Sequence, residues 1–239
     1  MFQLRQLRKT WDENFRIEID ELDVQHGEAF VLVGPTGSGK TTLLRLLALV
    51  VPATKGEIRF DRKPARADDM DPTQRRRITM VFQRPALLSA TVFHNVAYGL
   101  HIRGEKECIQ PRVDRLLDRF GIAHLASADA HTLSVGQMQL VALARALAVE
   151  PDVLLLDEPT ANLDPSRVAL VEEIILDDHR ERGTTVIWST HNLFQARRVA
   201  DRVGFLLDGR LVECSATEDF FEAPKNPRTD DFVRGKMVY

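Results

Sequence analysis

A glycine-rich segment, GPTGSGKTT, occupies residues 34–42 and fits the pattern G-x-x-x-x-G-K-[ST]. Between a buried strand and a helix, such a segment presents backbone N–H groups that can cradle phosphate oxygens. Lys40 is expected to reach the β- and γ-phosphates of a nucleotide, and the Thr41 hydroxyl is expected to hold Mg²⁺. The alternative is a plain glycine-rich turn before a helix. The candidate phosphate-binding residues are Gly34, Pro35, Thr36, Gly37, Ser38, Gly39, Lys40, Thr41 and Thr42.

A second segment, VLLLDEP at residues 153–159, is an apolar run that ends in two carboxylates. Because side chains alternate along a strand, Asp157 and Glu158 are expected to point in different directions. Asp157 can then serve Mg²⁺ while Glu158 faces an attacking water, a division that suits ATP hydrolysis. An isolated Asp-Glu pair would more simply cap a strand, but the neighbouring phosphate-binding segment favours the catalytic interpretation.

Two neutral polar residues stand at the ends of other predicted strands. His191 follows TTVIWST, and Gln83 closes ITMVFQ. A buried strand delivers such side chains to the edge of a sheet, where ligands bind. The Gln83 amide, which is both donor and acceptor, is a candidate to touch Mg²⁺ or its water. Taken alone, His191 would be a structural histidine and Gln83 a surface glutamine.

The strands and helices that position these residues follow from the hydrophobic pattern. Alternation in FQLRQL and FRIEIDELDV predicts two half-buried strands, and EIRF and ITMVFQ predict two more. The continuous apolar runs AFVLVG, DVLLLD, TTVIWS and DRVGFLL predict buried parallel strands. Helices are predicted from Thr41 to about Val50, from Ser166 to His179 and from Asn192 to Ala200. This alternation predicts an α/β fold with a parallel sheet.

The stretch from Pro85 to about Glu150 lacks strand signals and is predicted to be a helical insertion. Val113, Leu116, Leu117 and Phe120 follow the i, i+3, i+4, i+7 rule of an amphipathic helix. We therefore expect one domain over residues 1–239. Residues 1–84 and 151–239 would form the nucleotide-binding core with its β subdomain, and residues 85–150 the helical subdomain.

Composition excludes several classes of protein. Of the 239 residues, 44% are hydrophobic and 28% are charged, as in a globular protein, and no apolar run reaches the roughly 20 residues of a membrane span. The N-terminus lacks a signal peptide, so we expect a cytosolic chain with Cys108 and Cys214 reduced. A net charge of −3 argues against a nucleic-acid partner. The arginines at 75–77 fit a solvated or strand-leading face better than phosphate contact.

These motifs, in this order, resemble the nucleotide-binding subunit of ATP-binding cassette (ABC) transporters over practically the whole chain. The resemblance implies a P-loop NTPase (RecA-like) core with an N-terminal antiparallel β subdomain and a helical insertion. It implies that residues 34–42 are the Walker A motif, 153–158 the Walker B motif and 161–164 the D-loop. Gln83 becomes the Q-loop glutamine and His191 the switch histidine. Both then join Glu158 in catalysis, and Gln83 also joins Thr41 and Asp157 as a metal ligand.

The family's signature segment matches LSVGQ at residues 133–137, with a departure. By resemblance Ser134, Gly136 and Gln137 bind the nucleotide of a second subunit, but Val135 stands where the family has glycine and Leu140 where it has arginine. Valine is sterically allowed if residue 135 lies in the first helical turn with negative φ, and is strained if the site needs positive φ.

An aromatic residue that stacks on adenine is also part of the family pattern. Trp11 is the candidate, and the alternative is a plain core or hairpin residue. The resemblance also implies ATP and Mg²⁺ as ligands and a head-to-tail homodimer that forms with ATP and completes two hydrolytic sites.

The remaining partners are implied in the same way. They are transmembrane permease subunits, whose coupling helices would enter an apolar groove around Gln83–Gly99, and indirectly a periplasmic or surface solute-binding protein. The chain would then lie peripherally on the cytoplasmic side of the membrane. The segment VFQRPALLSATVFHNVAYGLHIRG and the tail FFEAPKNPRTDDFVRGKMVY look like bacterial oxyanion importers, for tungstate or molybdate-like anions or phosphate. The alternatives are a cassette of an efflux system and a soluble ABC ATPase without a transport role.

Overall fold

The computed structural model describes residues 1–11 and 16–236, which form one ten-stranded mixed sheet flanked by helices. The strands are β1 (Phe2–Thr10), β2 (Arg16–Val24), β3 (Ala29–Val33), β4 (Lys55–Phe60), β5 (Lys63–Pro64), β6 (Ile78–Val81), β7 (Val153–Asp157), β8 (Thr185–Thr190), β9 (Arg202–Leu207) and β10 (Arg210–Ala216). Their order in the sheet is β5-β4-β1-β2-β10-β9-β3-β8-β7-β6.

Nine α-helices occur within the described ranges. They are α1 (Lys40–Leu47), α2 (Pro72–Arg75), α3 (Val92–Ile102), α4 (Ile109–Arg119), α5 (Val135–Ala148), α6 (Pro165–Arg182), α7 (Leu193–Val199), α8 (Thr217–Glu222) and α9 (Pro227–Val233). None of them is long and apolar enough to cross a membrane.

The centre of the sheet is parallel, since β9, β3, β8, β7 and β6 pair in that order in parallel register. Every residue of β3, β7 and β8 is buried because both faces of the sheet are covered. Successive side chains of β3 point to opposite faces of the sheet and pack into two different hydrophobic cores. Val31 and Val33 join the core that contains α3–α7, and Phe30 and Leu32 join the core that contains α1 and the antiparallel strands. The prediction of an α/β P-loop NTPase fold is confirmed.

The antiparallel part consists of β1 with β2, β1 with β4 and β4 with β5. The predicted N-terminal pair of strands is confirmed, although Phe15 lies outside the described residues. A single parallel bridge between Glu18 and Arg210 joins β2 to β10. This bridge connects the antiparallel strands to the parallel centre, so all ten strands form one continuous sheet.

Three helices, α3, α4 and α5, fill the region predicted to be a helical insertion. The amphipathic pattern of α4 is confirmed because Val113, Leu116 and Leu117 are buried, and Phe120, which caps its C-terminus, is buried as well. The boundaries of the helical and core subdomains remain a prediction.

Some element boundaries differ from the predicted ones. β6 ends at Val81, so Gln83 lies beyond the strand that it was predicted to close. α1 ends at Leu47 rather than near Val50, because the backbone turns left-handed at Leu49 with φ of 55°. Hydrophobic pattern did not reveal β10, α8 or α9. The residues of β10 are mostly half-buried, which leaves no clear alternation.

Candidate active site

The glycine-rich segment turns sharply between β3 and α1. Gly34 has φ of 154°, and a Cβ there would lie 2.1 Å from the Leu206 carbonyl oxygen. Gly39 has φ of 107°, and a Cβ there would lie 2.1 Å from Ile17 Cδ1. Only glycine fits these two positions. Gly39 is the N-cap of α1 and no side chain caps that helix, so its first N–H groups lie at the loop without side-chain partners.

Lys40 is buried and its ammonium folds back onto its own loop. Nζ donates to Gly34 O at 2.7 Å and to Pro35 O at 2.9 Å. It also lies 4.0 Å from Glu158 Oε1. Burial lowers the pKa of Lys40, and the charges of Glu158 and Asp157 oppose that shift. A phosphate placed in the loop would offer this ammonium charged acceptors in place of carbonyls.

The other residues of the segment also fit a phosphate chain. Ser38 Oγ is buried and has no hydrogen-bond partner within the part of the chain that the structure describes. An unsatisfied buried hydroxyl costs about 1–3 kcal/mol, which a phosphate acceptor would relieve. Thr36 and Gly37 are exposed at the tip of the loop, while Pro35 and Thr42 are half-buried. The residues present therefore fit a nucleotide phosphate.

A carboxylate and two hydroxyls meet beside Lys40. Thr41 Oγ1 donates to Asp157 at 2.8 and 3.0 Å, and Ser189 Oγ donates to Asp157 Oδ1 at 2.8 Å. Asp157 is 3% exposed. The described residues contain no group of three or more His, Cys, Asp or Glu suited to a metal. One carboxylate and one hydroxyl nevertheless fit Mg²⁺, which usually keeps several waters and binds through few carboxylates plus substrate phosphates.

Glu158, His191 and Gln83 come together next to this carboxylate. His191 Nδ1 lies 3.1 Å from Glu158 Oε2, and Gln83 Nε2 lies 3.5 Å from the same oxygen. The structure therefore places the Gln83 amide on Glu158 rather than on Thr41 or Asp157. Glu158 has φ of 45°, a conformation that costs a β-carbon-bearing residue roughly 1–2 kcal/mol. Its backbone N–H donates to Ser189 O and Ser189 Oγ, both at 3.1 Å, which holds it there.

Sequence reasoning missed Ser189. Its hydroxyl accepts from the backbone N–H of Glu158 and donates to the Asp157 carboxylate, so it fixes the Glu158 backbone and the Asp157 side chain. A serine next to the carboxyl end of the buried strand Thr185–Thr190 was the available signal. The sequence pattern also did not reveal a set of hydrogen bonds that joins the loop after β7 to α6 and α7. Gln195 Nε2 donates to Thr160 Oγ1 at 3.0 Å and to Glu172 Oε1 at 2.9 Å, and Arg198 binds the same carboxylate.

The signature segment begins α5, and within the described residues no hydrogen bond or ion pair joins it to the glycine-rich segment of its own chain. Ser134 is the N-cap, with a capping box in which Gln137 N donates to Ser134 Oγ at 3.3 Å and Ser134 N to Gln137 Oε1 at 2.9 Å. Val135 is the first helical residue, has negative φ and is 51% exposed. Gly136 is buried, and a Cβ there would lie 3.1 Å from Asn162 O. Leu140 is 1% exposed in the core, so it affects packing rather than a partner surface.

Two further predicted residues lie at exposed positions. Asp164 caps α6 by accepting from the backbone of Ser166 and Arg167, each at 3.1 Å. The hydroxyl of Ser166 also donates to Asp164 and is the main cause of its lowered pKa. Trp11 is 53% exposed with Lys9 Nζ 4.4 Å from the centre of its ring, so the core interpretation of Trp11 is wrong. An exposed indole after β1 is available for stacking.

A cleft of about 320 Å³, which we call the β6–α3 cleft, opens next to Gln83. It lies between β6, α3 and α5, and Phe82, Tyr98, Ile102, Arg76, Arg103 and Arg145 are among its lining residues. Phe82, Tyr98 and Ile102 are exposed large apolar side chains. The cleft overlaps the predicted groove around Gln83–Gly99 at Pro85, Ala86, Tyr98 and Gly99, and Phe82 precedes Gln83 in the chain. The role of this groove as a docking site stays a prediction.

Comparison with known proteins gives consistent similarities. A family model described as ABC transporter matches residues 17–161. The chain is 44% identical over 237 residues to phosphate import ATP-binding protein PstB 2 of Natronomonas pharaonis, covering 93% of this chain and 82% of the relative. It is 40% identical over 208 residues to the tungstate uptake system ATP-binding protein TupC of Peptoclostridium acidaminophilum, covering 87% and 94%.

Two solved structures resemble the fold over most of its length. One is cbiO1 from Clostridium perfringens, described as part of an ABC transporter complex, with a TM-score of 0.80, 31% identity and coverage of 96% of this chain and 94% of that chain. The other is a dimer of the cassette MJ0796, with a TM-score of 0.81, 29% identity and coverage of 91% and 99%. MJ0796 was also solved in a dimeric post-hydrolysis state with ADP and Pi, and that structure has a TM-score of 0.80.

Proposed function

The chain belongs to the ABC transporter ATPase family, and we propose that its ATP hydrolysis energises uptake of an oxyanion through a separate membrane permease. The observation that carries this proposal is the direct connection between the β6–α3 cleft and the catalytic carboxylate. Phe82 lines the cleft, and the next residue, Gln83, donates its amide to Glu158 at 3.5 Å. A partner seated in the cleft would thus act on the position of Gln83 and, through it, on Glu158.

The geometry of the site supports the following proposed roles. Glu158 accepts a proton from the attacking water, and His191, 3.1 Å from Glu158 Oε2, orients that carboxylate. Lys40 and the N–H groups of the loop and α1 bind the phosphates, and Trp11 stacks on the adenine. Thr41 and Asp157 would hold Mg²⁺, which neutralises charge that develops on the β- and γ-phosphate oxygens.

A head-to-tail homodimer fits the separation of the two halves of the site. Ser134, Val135 and Gln137 lie on the exposed or half-buried start of α5, while Lys40 is buried in the glycine-rich segment. The N-terminus of α5 and its serine hydroxyl favour an anion. In a dimer they would cover the nucleotide of the second subunit, so each complete site needs two chains.

The oxyanion assignment is supported by the relatives, one named for phosphate import and one for tungstate uptake. The cassette itself would lie on the cytoplasmic side of the membrane and would not touch the anion, which a solute-binding protein would deliver to the permease.

Reconstitution tests the proposal. The chain would be co-expressed with a permease and a solute-binding protein from the same organism and placed in liposomes with internal ATP. We expect uptake of tungstate, molybdate or phosphate that requires both ATP and Glu158. Efflux of the anion, or an ATPase rate that no membrane protein changes, would contradict an importer and support the efflux or non-transport alternative.

A further inference from the structure

A buried polar cluster joins α6 and α7 to the loop that follows β7. Gln195 is 2% exposed and Glu172 is 7% exposed. Gln195 Nε2 donates to Thr160 Oγ1 at 3.0 Å and to Glu172 Oε1 at 2.9 Å. Arg198 donates to both oxygens of Glu172, at 2.7 and 3.0 Å. Both N–H groups of the Gln195 amide are therefore used, and the buried carboxylate of Glu172 has a counter-charge.

The charge of this cluster explains why residue 195 carries an amide. Glu172 only accepts hydrogen bonds, so the side chain against it must donate one. A glutamate at position 195 would put a second carboxylate there, and Arg198 could neutralise only one of the two. Two carboxylates that share a buried site cannot both stay ionised. The Gln195 amide thus supplies a directional link that neither a carboxylate nor an apolar side chain of similar size can form.

One end of this link lies in the turn that follows the general base. Thr160 comes two residues after Glu158, and Ala161 N donates to Glu158 O at 3.2 Å. Leu163 N donates to Thr160 O at 3.1 Å, which closes the rest of the turn. A side chain that holds the Thr160 hydroxyl therefore also holds the backbone that leaves Glu158.

The other end of the link lies just after His191. The His191 side chain is 63% exposed, and its ring forms no hydrogen bond besides the one to Glu158 in the part of the chain that the structure describes. The position of His191 therefore depends on the backbone that leads into α7. Asn192 caps α7 by accepting from Gln195 N at 3.1 Å. The backbone of Gln195 thus fixes the cap, and its side chain fixes the helix to Thr160.

We propose that Gln195 is a positioning residue for ATP hydrolysis, because it ties α7 to the loop after β7 and so sets the contact between His191 and Glu158. The inference rests on the proposed roles of Glu158 and His191 and adds a residue that acts through the backbone rather than on the reacting atoms. Ala196 and Val199 also hold α7 in the core, but apolar packing is not directional. A misplacement of about 1 Å can cost about 10²-fold in rate.

Gln195→Leu tests the inference in the full-length chain, since it removes both hydrogen bonds and leaves Glu172 paired with Arg198. We expect kcat for phosphate release to fall about 10- to 100-fold while KM for ATP stays within about twofold, because the phosphate-binding residues are unchanged. Gln110→Leu, at an exposed position of α4, is the matched control and should keep both constants. Circular dichroism verifies folding. A folded Gln195→Leu chain with native kcat, or with KM raised as much as kcat is lowered, would overturn the inference.

Exchanged side chains separate positioning from a role in folding alone. In Gln195→Glu, kcat relative to the native chain should fall as pH rises, because the shared proton that keeps the two carboxylates apart in charge is lost. Adding Glu172→Gln restores one amide and one carboxylate, and the Thr160 hydroxyl can donate to position 195. This double variant should regain at least about half of the native kcat at every pH. A folded double variant as slow as Gln195→Leu would contradict the inference.

Two more variants keep the outcome decisive. Thr160→Val removes one hydroxyl and keeps the shape of the side chain, so it should lower kcat without changing KM even where Gln195→Leu does not fold. Glu158→Gln in the same assay tests the proposed function. If Glu158→Gln keeps the native rate, the proposed base and this inference both fail. If Glu158→Gln is inactive while Gln195→Leu and Thr160→Val keep native kcat, only the positioning role fails.

Discussion

His191 Nδ1 lies 3.1 Å from Glu158 Oε2, and this contact joins the ends of β8 and β7 across the sheet. Because β7 and β8 are parallel neighbours, both side chains arrive at the same edge. Ser189 holds the Glu158 backbone separately. His191 therefore contacts the Glu158 carboxylate and not its backbone. The pair thus has the geometry of a base and the group that orients it.

Glu158→Gln is expected to lower the ATPase rate by about 10²- to 10⁴-fold while ATP binding persists, because the change removes the general base but keeps its size. Phosphate release measures the first effect and calorimetric titration with ATP the second. Glu173→Gln, at an exposed position of α6, is the matched control and should keep the full rate. A Glu158→Gln chain with half the normal rate would rule out this role.

Lys40→Ala is expected to weaken ATP binding by about 10- to 100-fold. The change removes a buried ammonium whose hydrogen bonds to charged phosphates are worth about 1.5–3 kcal/mol. The titration would be compared with Lys55→Ala, an exposed lysine at the start of β4, which should bind ATP normally. Unchanged affinity in Lys40→Ala would place the phosphates elsewhere.

Trp11→Ala is expected to weaken ATP binding by about 2- to 12-fold, which corresponds to a stacking energy of about 0.5–1.5 kcal/mol. Trp11→Phe keeps an aromatic ring and should stay within about twofold of the native affinity. The chain has two tryptophans, and the other, Trp188, is 1% exposed. In a Trp188→Phe chain, ATP should therefore quench the emission of Trp11, and an unaltered emission would argue against stacking.

The Glu158→Gln chain is expected to dimerise when Mg-ATP is added and to be monomeric without it, because Ser134 and Lys40 belong to different halves of one site. Analytical ultracentrifugation should show the 27.1 kDa monomer double in mass. Adding Ser134→Arg to the same chain should keep it monomeric. A Glu158→Gln chain whose mass does not change with Mg-ATP would indicate an obligate heterodimer or another assembly.

The sequence predicted the parts of the site that depend on short spacings. Lys40, Thr41 and Asp157 could be named because a glycine-rich turn and an apolar strand end are local patterns. The structure brings Thr41 and Asp157 together at 2.8–3.0 Å, with Lys40 beside them and 4.0 Å from Glu158. Ser189 could not be named in this way. Its role depends on the register between β7 and β8, in which Asp157 lies opposite Ser189. These two strands are separated in the sequence by α6, so a local pattern in either strand does not reveal which residues pair.

The difference between local pattern and tertiary packing also explains which expectations for Trp11 and Gln83 differ from the structure. For Trp11 only the core part of the alternative is wrong, since the side chain is 53% exposed; an aromatic residue near a strand end gives no sign of which face it occupies. Gln83 was placed at the end of a strand that the structure ends two residues earlier, at Val81. Apolar residues such as Phe82 extend a strand pattern, but here Phe82 is 37% exposed and lines a cleft.

Val135, in the signature segment, meets the steric condition for an active cassette. It is the first residue of α5, and its φ is negative, so a β-branched side chain is not strained there. Its side chain is 51% exposed, and the capping box joins Ser134 to Gln137 without involving it. The helix-propensity cost of valine relative to alanine is only about 0.5–0.7 kcal/mol.

We therefore expect Val135→Gly to change the permease-stimulated ATPase rate by less than about tenfold, or 1.4 kcal/mol. Ser134→Arg should nearly abolish the rate, because it places bulk at the N-cap position that would face the γ-phosphate of the second subunit. Ser134→Ala separates the two effects of that change, since it loses the cap, worth about 1 kcal/mol, without blocking the phosphate. Its rate should thus exceed that of Ser134→Arg. The measurement is phosphate release by the reconstituted complex, with folding verified by circular dichroism. If Val135→Gly instead converted an inert complex into a fast ATPase, the native chain would be a degenerate cassette and the proposed transport function would fail.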